Sequence, residues 1–420
     1  MEVVHERSAG LDVHKRTVVA CVLEPGANGA VDRETRTFST MLGAIELLAA
    51  WLTEKGVTHI ALEATGVYWK PIYNVLEGED RWTILVVNPE HVKAISGRKT
   101  DRADAERLAF LLRHDLLQGS FIPAREQREL RELTRGRTAL VRERARAVQR
   151  LEKVLEGANI KLGAVVTELL GVSGQRMLDA ALQGVTDPDE LVGLAHGRLQ
   201  PKRERLIQAL QGQLTRPLRF LAQQHLDHWR ELDARVAAFD AEIAEQLRPF
   251  DELVTRLDAI PGVGRRTAEV LLAEIGTDVA AFPTDRHLAA WAGVSPGNRQ
   301  SGGRRKIART RQGNPWLKGA LTEAAWAAAR TKTGYLPAQY RRIAARRGRK
   351  RAIVAVAHSL VIAVYHMLAD KADFQDLGTD YFDQRDRDRR EQRAIATLRA
   401  LGHEVTLTPR TPPDPATEAA

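Results

Sequence analysis

GLDVHKRTVVACVLE, residues 10–24, decides how the first quarter of the chain is read. It is rich in β-branched residues and reads as extended strand. In a strand, successive side chains point to opposite faces, so Asp12 projects away from its neighbours Leu11 and Val13. Strand and helix signals alternate outward from this stretch. RETRTFST (33–40) predicts a neighbouring strand, and LGAIELLAAWLTEKG (42–56) has helical periodicity ending at a glycine. THIALEAT (58–65) predicts a short strand ending at Glu63, YWKPIYNVLEG (68–78) a helix, and WTILVVNP (82–89) another buried strand. TDRADAERLAFLLRH (100–114) predicts a helix with acids in its first turn. Strands alternating with helices predict an α/β sheet domain over 1–120.

The next segments change character. EQRELRELTRGRTALVRERARAVQRLEKVLEG (126–157) predicts a long charged helix, and a second helical stretch covers about 200–248. Opposite charges interspersed on amphipathic helices predict a coiled-coil or helical-bundle spacer over 121–253. A compact, mainly helical domain follows over 254–370. A charged tail occupies 371–420, and its Pro/Thr-rich last dozen residues read as disordered.

Composition bounds the function. The 420 residues carry 63 Lys and Arg against 54 Asp and Glu, a net charge of +9. The isoelectric point is about 9.8 and the mean hydropathy −0.32. The charge is concentrated: no acid occurs between Asp285 and Glu323, nor between Glu323 and Asp370, where RRIAARRGRKR adds a dense basic cluster. That distribution fits a nucleic-acid footprint, and a solvated basic face is the alternative. The single cysteine, Cys21, excludes an internal disulfide and a multi-cysteine zinc site, and reads as a buried thiol. No secretory signal is evident. AIVAVAHSLVIAVYHMLA (352–369) has membrane-spanning length, but His358 and His366 interrupt it, so a buried helix and a cytoplasmic protein without a membrane partner are expected.

Asp12, Glu63, Asp101 and Asp104 are the candidate metal ligands. Asp101 and Asp104 stand three apart, on one face of their helix and in its first turn. Clustered carboxylates repel one another, and hard cations resolve that repulsion: Mg²⁺ is held by a few carboxylates plus substrate phosphate. Two such ions stabilise both oxygens of an in-line displacement. Taken singly, Asp12 also fits a turn residue and Asp101 a helix cap.

Ser301 is the candidate nucleophile, in RQSGGRRK (299–306). Gly302 and Gly303 allow close backbone approach to a phosphate. Arg299, Arg304, Arg305, Lys306, Arg309 and Arg311 surround it with charge suited to phosphate oxygens. A phosphate-contacting or turn serine is the alternative, with Ser295 and Thr310 as weaker rivals. No histidine lies in the loop to act as base. LDAIPGVGRRTAEVLLAEIG (257–276) resembles a helix-hairpin-helix, with Gly262 and Gly264 forming the hairpin and the following helix offering amides to a DNA phosphate.

GLDVHK, ALEATGVYW and TDRADAERLA, followed by IPGVGRRTAEVLLAEIG and AAWAGVSPGNRQSGGRRKIARTRQGNPWLKGALTEAAW, together resemble the IS110 family of transposases. The resemblance covers most of the chain. It implies a RuvC-like, RNase H-fold domain whose DEDD tetrad is Asp12, Glu63, Asp101 and Asp104, binding Mg²⁺, with Mn²⁺ as a substitute. It implies that Ser301 forms a covalent phosphoserine intermediate. It also implies double-stranded DNA at the element ends and target, a structured noncoding guide RNA, and homodimers pairing into a tetramer. Arg304 stands where lysine is common in the family, and Ala308 where glycine is common. A RuvC-like nuclease or junction resolvase using water is the competing enzyme class.

Overall fold

The computed structural model describes residues 2–27, 30–64, 66–89, 101–297, 300–301, 303–305, 310 and 312–406. The chain divides into two compact units, Met1–Glu126 and Gln127–Ala420.

The first unit is a three-layer sandwich. Strands β1 (Ser8–Val13), β2 (Thr17–Pro25) and β3 (Val31–Ser39) precede α1 (Leu42–Glu54), β4 (His59–Glu63), α2 (Trp69–Glu77), β5 (Thr83–Val87) and α3 (Asp101–Arg113). The sheet order is β3-β2-β1-β4-β5. β2 is antiparallel to both neighbours, whereas β1, β4 and β5 run parallel. This is the topology of an RNase H-like, RuvC-like domain.

Alternation along β1 sorts the layers. Ala9, Leu11 and Val13 join Ile45, Leu48, Leu52, Ile72 and Leu76 of α1 and α2 in one core. Ser8, Gly10 and Asp12 point to the other face, where α3 packs on β1 and β2. There Cys21, Val19 and Leu23 meet Ala105 and Ala109, and the Cys21 thiol is buried. Burial pushes the thiol's pKa up, which makes it inert rather than reactive.

Gly10 sets how closely α3 lies. A Cβ there would overlap the Ala105 carbonyl oxygen and the Ala109 nitrogen, and stand 2.8 Å from Leu108 Cβ. These are backbone atoms of a packed helix and cannot step aside. Gly10→Ala is therefore expected to destabilise the protein by about 2–3 kcal/mol, read as a lower urea midpoint with unchanged slope. An unchanged midpoint would show that α3 is not held by this contact.

Among the described residues the second unit is helical apart from one short hairpin and an isolated bridge. It begins in the long helix α4 (Arg125–Gly157), followed by α5 (Val172–Gln183), α6 (Pro188–Gly193), α7 (Arg203–Ala209) and the long helix α8 (Arg216–Leu247). α4 and α8 run antiparallel. Arg137 pairs with Asp240 and Arg144 with Asp233, so residue numbers rise on one helix as they fall on the other. Leu151 and Leu155 of α4 and Ala222 and Leu226 of α8 close a core over Met177 and Leu178 of α5. The interspersed charges of the sequence thus form cross-helix ion pairs, as expected of a bundle.

The remaining elements are α9 (Asp251–Asp258), α10 (Arg265–Ile275), α11 (Asp285–Trp291), β6 (Gln300–Ser301), β7 (Arg304–Arg305), α12 (Pro315–Ala329), α13 (Tyr335–Arg347), α14 (Arg349–Ala369) and α15 (Tyr381–Ala400). α14 contains the apolar run of membrane-spanning length. Its Val356, Leu360, Val361 and Val364 are fully buried, and it packs on α11, α12 and α13. It is the core helix of this unit.

A buried ion cluster joins α4, α10 and α12. The Glu274 carboxylate has no solvent exposure. It accepts from both arms of Arg135 at 2.7 and 2.8 Å and from Asn314 Nδ2 at 2.6 Å. Arg131 donates to the Ala273 and Glu274 carbonyls, and burial lowers its pKa to about 10. Asn314 also caps α12 by accepting from the Trp316 and Leu317 amides. Removing one partner of such a cluster strands buried charge. Glu274→Gln is expected to lower unfolding free energy by about 3 kcal/mol, measured in urea; a change below about 1 kcal/mol would mean that water replaces the carboxylate.

Within the charged tail lies a helix that the sequence reading did not name. Residues 381–400 form α15, anchored at one end. Phe382 stacks on Tyr335 with centroids 5.0 Å apart, and Arg342 bonds Asp386 at 2.5 Å beneath the aromatic pair. Two aromatic residues at the helix start supply the burial that the charged remainder lacks. The final dozen residues lie outside the described residues.

Candidate active site

The acidic site forms at the carboxyl ends of the two central parallel strands. The register pairs Leu11 with Leu62, so Asp12 lies beside Glu63. Asp12 faces α3, whose close approach over Gly10 brings the first turn, with Asp101 and Asp104, to the same place. Neither strand nor helix supplies the cluster alone; strand register and the missing Cβ of Gly10 assemble it.

Asp12 is 8% exposed, and its pKa is raised. Burial is the main cause, opposed by His14 and reinforced by Asp101, Asp104 and Glu63. The other three candidate carboxylates therefore all act on Asp12. His14 Nε2 lies 3.1 Å from Asp12 Oδ2 and 3.3 Å from Asp101 Oδ2. One donor atom from each of Asp12, His14 and Asp101 falls within 4.8 Å of the other two. Hard oxygen donors, one of them buried among like charges, fit a divalent cation, which would relieve both burial and repulsion.

Ser301 is placed on the only sheet described in the second unit. β6 and β7 pair antiparallel, with Ser301 opposite Arg304 and Gln300 opposite Arg305. Gly303, between the two strands, has φ +74°, a conformation that glycine adopts without steric cost. Gly303 is exposed, with open space where a Cβ would stand. A bridge between Pro296 and Thr310 closes the segment further down. Thr310 Oγ1 accepts from Lys318 Nζ at 3.3 Å, which occupies that rival hydroxyl. Arg299, Gly302, Lys306, Arg309 and Arg311 lie outside the described residues.

Residues 9–160 match a family model described as a transposase, the DEDD transposase of IS110. Residues 254–341 match a second, described as the transposase IS116/IS110/IS902 family. Together they span more than half of the chain. This chain belongs to the IS110 family of transposases. It is 26% identical over 275 residues to a "Probable family 20 transposase" of Pseudomonas aeruginosa, covering 64% of this chain and 71% of that protein. It is 23% identical over 305 residues to the "Pilin gene-inverting protein" of Moraxella bovis, covering 70% and 73%. The structure of Thermus thermophilus RuvC is similar at 15% identity and a TM-score of 0.21, covering 27% of this chain and 99% of that one.

In this IS110 transposase the two hairpin glycines have different surroundings. Gly262, with φ +88°, lies against α12, where a Cβ would overlap the Ala324 oxygen and the Ala328 nitrogen. Left-handed backbone and close packing both call for glycine there, without any ligand. Gly264 is exposed at the N-cap of α10, with nothing near a Cβ. The flanking arginines are held by acids: Arg265 by Asp251 at 2.6 Å and Arg266 by Glu269 at 2.8 Å.

Sequence reasoning missed His14 and the function of Gly10. The signal for His14 was its place two residues after Asp12, yet only the turn that carries it back, with its amide bonded to the Thr17 carbonyl at 2.9 Å, sets the ring over two carboxylates. Gly10 was visible as a Gly-Leu-Asp step, but the helix it admits lies about 95 residues downstream.

Proposed function

We propose that this transposase cuts and rejoins DNA through a covalent phosphoserine intermediate in a divalent-metal-dependent reaction. The convergence of Glu63, Asp101 and Asp104 around the buried Asp12, each raising its pKa, carries this reading. These residues would hold Mg²⁺, or Mn²⁺ in its place. Bound there, the cation would neutralise phosphate charge and favour the attacking and leaving oxygens. Ser301, on its Gly-Gly hairpin, attacks the scissile phosphorus. Its proton leaves to a base outside the loop, and the phosphorus–O3′ bond breaks. The phosphoserine ester conserves the bond energy, so the 3′-hydroxyl of another strand can displace Ser301 without an external energy source.

In this reading, residues 1–120 are the RuvC-like domain, 121–253 the helical spacer, 254–370 the serine-bearing domain and 371–420 a tail, in a cytoplasmic protein. Arg299, Arg304, Arg305, Lys306, Arg309 and Arg311, with Gly264, Gly302 and Gly303, approach nucleic-acid phosphates, and Gly262 shapes the hairpin. Site choice falls to an element-encoded guide RNA, with the protein reading backbone and shape. Dimers pairing into tetramers let the carboxylates of one subunit serve the serine of another.

A water-using nuclease is the second reading. One observation favours it: all four carboxylates belong to Met1–Glu126, a unit that lacks Ser301. The test is a reaction on duplex DNA bearing element ends, with Mg²⁺, resolved under denaturing conditions. Protein-linked DNA with a nucleotide mapped to Ser301 supports the phosphoserine route. Free nicked ends without any adduct support water.

A further inference from the structure

The turn joining α13 to α14 carries a charge arrangement that folding does not explain. Arg346 and Arg347 end α13, and Arg349, Lys350 and Arg351 open α14. All five are exposed, and none forms an ion pair among the described residues. Cations at the end of α13 complement its dipole, but the other three oppose that of α14. They stand in the first turn of a 21-residue helix that has no acid there. Like charges therefore face one another and the positive end of a long helix at once.

The mount is rigid. Beyond its first turn, α14 is the buried core helix, with Val356, Leu360 and Val361 fully enclosed. Gly348, with φ +80° and open space where a Cβ would stand, leaves the joint bare between the two basic clusters. Folding energetics favour neutral or acidic residues here, so the cluster answers to a polyanion. RRIAARRGRKR (341–351) has no aromatic residue to stack on unpaired bases and no Asn or Gln to read base edges. That composition fits the phosphates of a duplex, and DNA is the substrate of a transposase.

We propose that the α13–α14 turn is a phosphate-gripping surface for the backbone of double-stranded DNA, distinct from the serine hairpin. This rests on the reading of the chain as a DNA-acting enzyme. Each phosphate contact contributes about 0.9 to the slope of log affinity against log salt.

The test uses the full chain and a mixed-sequence DNA duplex, titrated at about 50 to 200 mM salt, where such contacts show. One variant combines Arg346→Gln, Arg347→Gln, Arg349→Gln, Lys350→Gln and Arg351→Gln. A second removes equal charge elsewhere, at the exposed Arg176, Arg198, Arg205, Arg216 and Arg235. For the turn variant we expect a salt slope shallower by up to about 4.5, about 0.9 for each of the five cations that meets a phosphate, an affinity loss of at least about tenfold and a melting temperature that does not fall. The charge-matched variant should lose far less. An unchanged slope in the turn variant, an equal loss in the charge-matched variant, or a loss confined to an RNA duplex overturns the proposal while leaving the DNA-acting reading intact. A parent protein with no salt-dependent duplex binding overturns both.

Discussion

Ser301→Ala is expected to abolish covalent attachment of the protein to DNA and to reduce strand rejoining by a factor on the order of 10³ or more. A serine hydroxyl is a weak nucleophile at its own pKa and depends on its surroundings for activation. Deleting the attacking atom removes the step. Ser301 stands directly before a Gly-Gly connection and opposite Arg304 in a two-strand hairpin. Alanine has no clash to introduce there, so folding and duplex affinity should stay within about twofold of the parent. Adducts that persist in the variant would move the nucleophile elsewhere, with Ser295 next in line. Metal-dependent nicking that persists at the parental rate, without adducts, would establish water as the nucleophile.

Asp12→Asn carries the second large effect, and it acts in two directions. The parent should gain stability from Mg²⁺ or Mn²⁺, by about 2.7 kcal/mol at a hundredfold excess over the dissociation constant. The variant should gain none and should lose DNA cleavage by at least about a hundredfold, a change as large as loss of a charge-stabilising group elsewhere. Without metal the order reverses. Asp12 is buried beside Asp101, Asp104 and Glu63, and its folded pKa lies above the ordinary value of 3.8. Between those two values the folded state binds more protons than the unfolded one, so metal-free stability falls as pH rises through that window. Above the raised pKa the full penalty of the charged form is present. Asparagine removes it, so the metal-free variant should melt at or above the parental temperature. Because protons compete with the cation for Asp12, metal stabilisation in the parent should shrink as pH falls toward the raised pKa. Thermal melts with and without metal across pH measure all of this. A variant that still gains stability from metal would remove Asp12 from the ligand set.

The family relationship was legible without coordinates. The alternating strand and helix signals over the first 115 or so residues correspond to β1 through α3, and Glu63 ends β4 as its place before Ala-Thr-Gly implies. Asp101 and Asp104 occupy the first turn of their helix, as their three-residue spacing requires. The long charged segments became α4 and α8 because alternating charge and apolar periodicity report a helix face directly. The helix in the tail was not read from the sequence. Tyr381 and Phe382 anchor α15 together with the Arg342–Asp386 pair, and their aromatic partner Tyr335 is more than forty residues away.

Local pattern fixed what each segment would become, because secondary structure answers to periodicities of two and 3.6 residues. It also named the carboxylates and the serine, because their chemistry is carried by residue type. It could not show that Asp12 and Glu63 sit side by side, since that depends on parallel register between strands fifty residues apart. Nor could it show that His14 stands over Asp12 and Asp101, or that Gly10 is the gap through which α3 brings its acids to the strands. Those facts depend on which backbone approaches which. The sequence carries such approaches only as absences: a missing Cβ at Gly10, and missing acids around the α13–α14 turn. Only the tertiary structure shows that the first admits α3 and that the second leaves five exposed cations without an ion pair among the described residues.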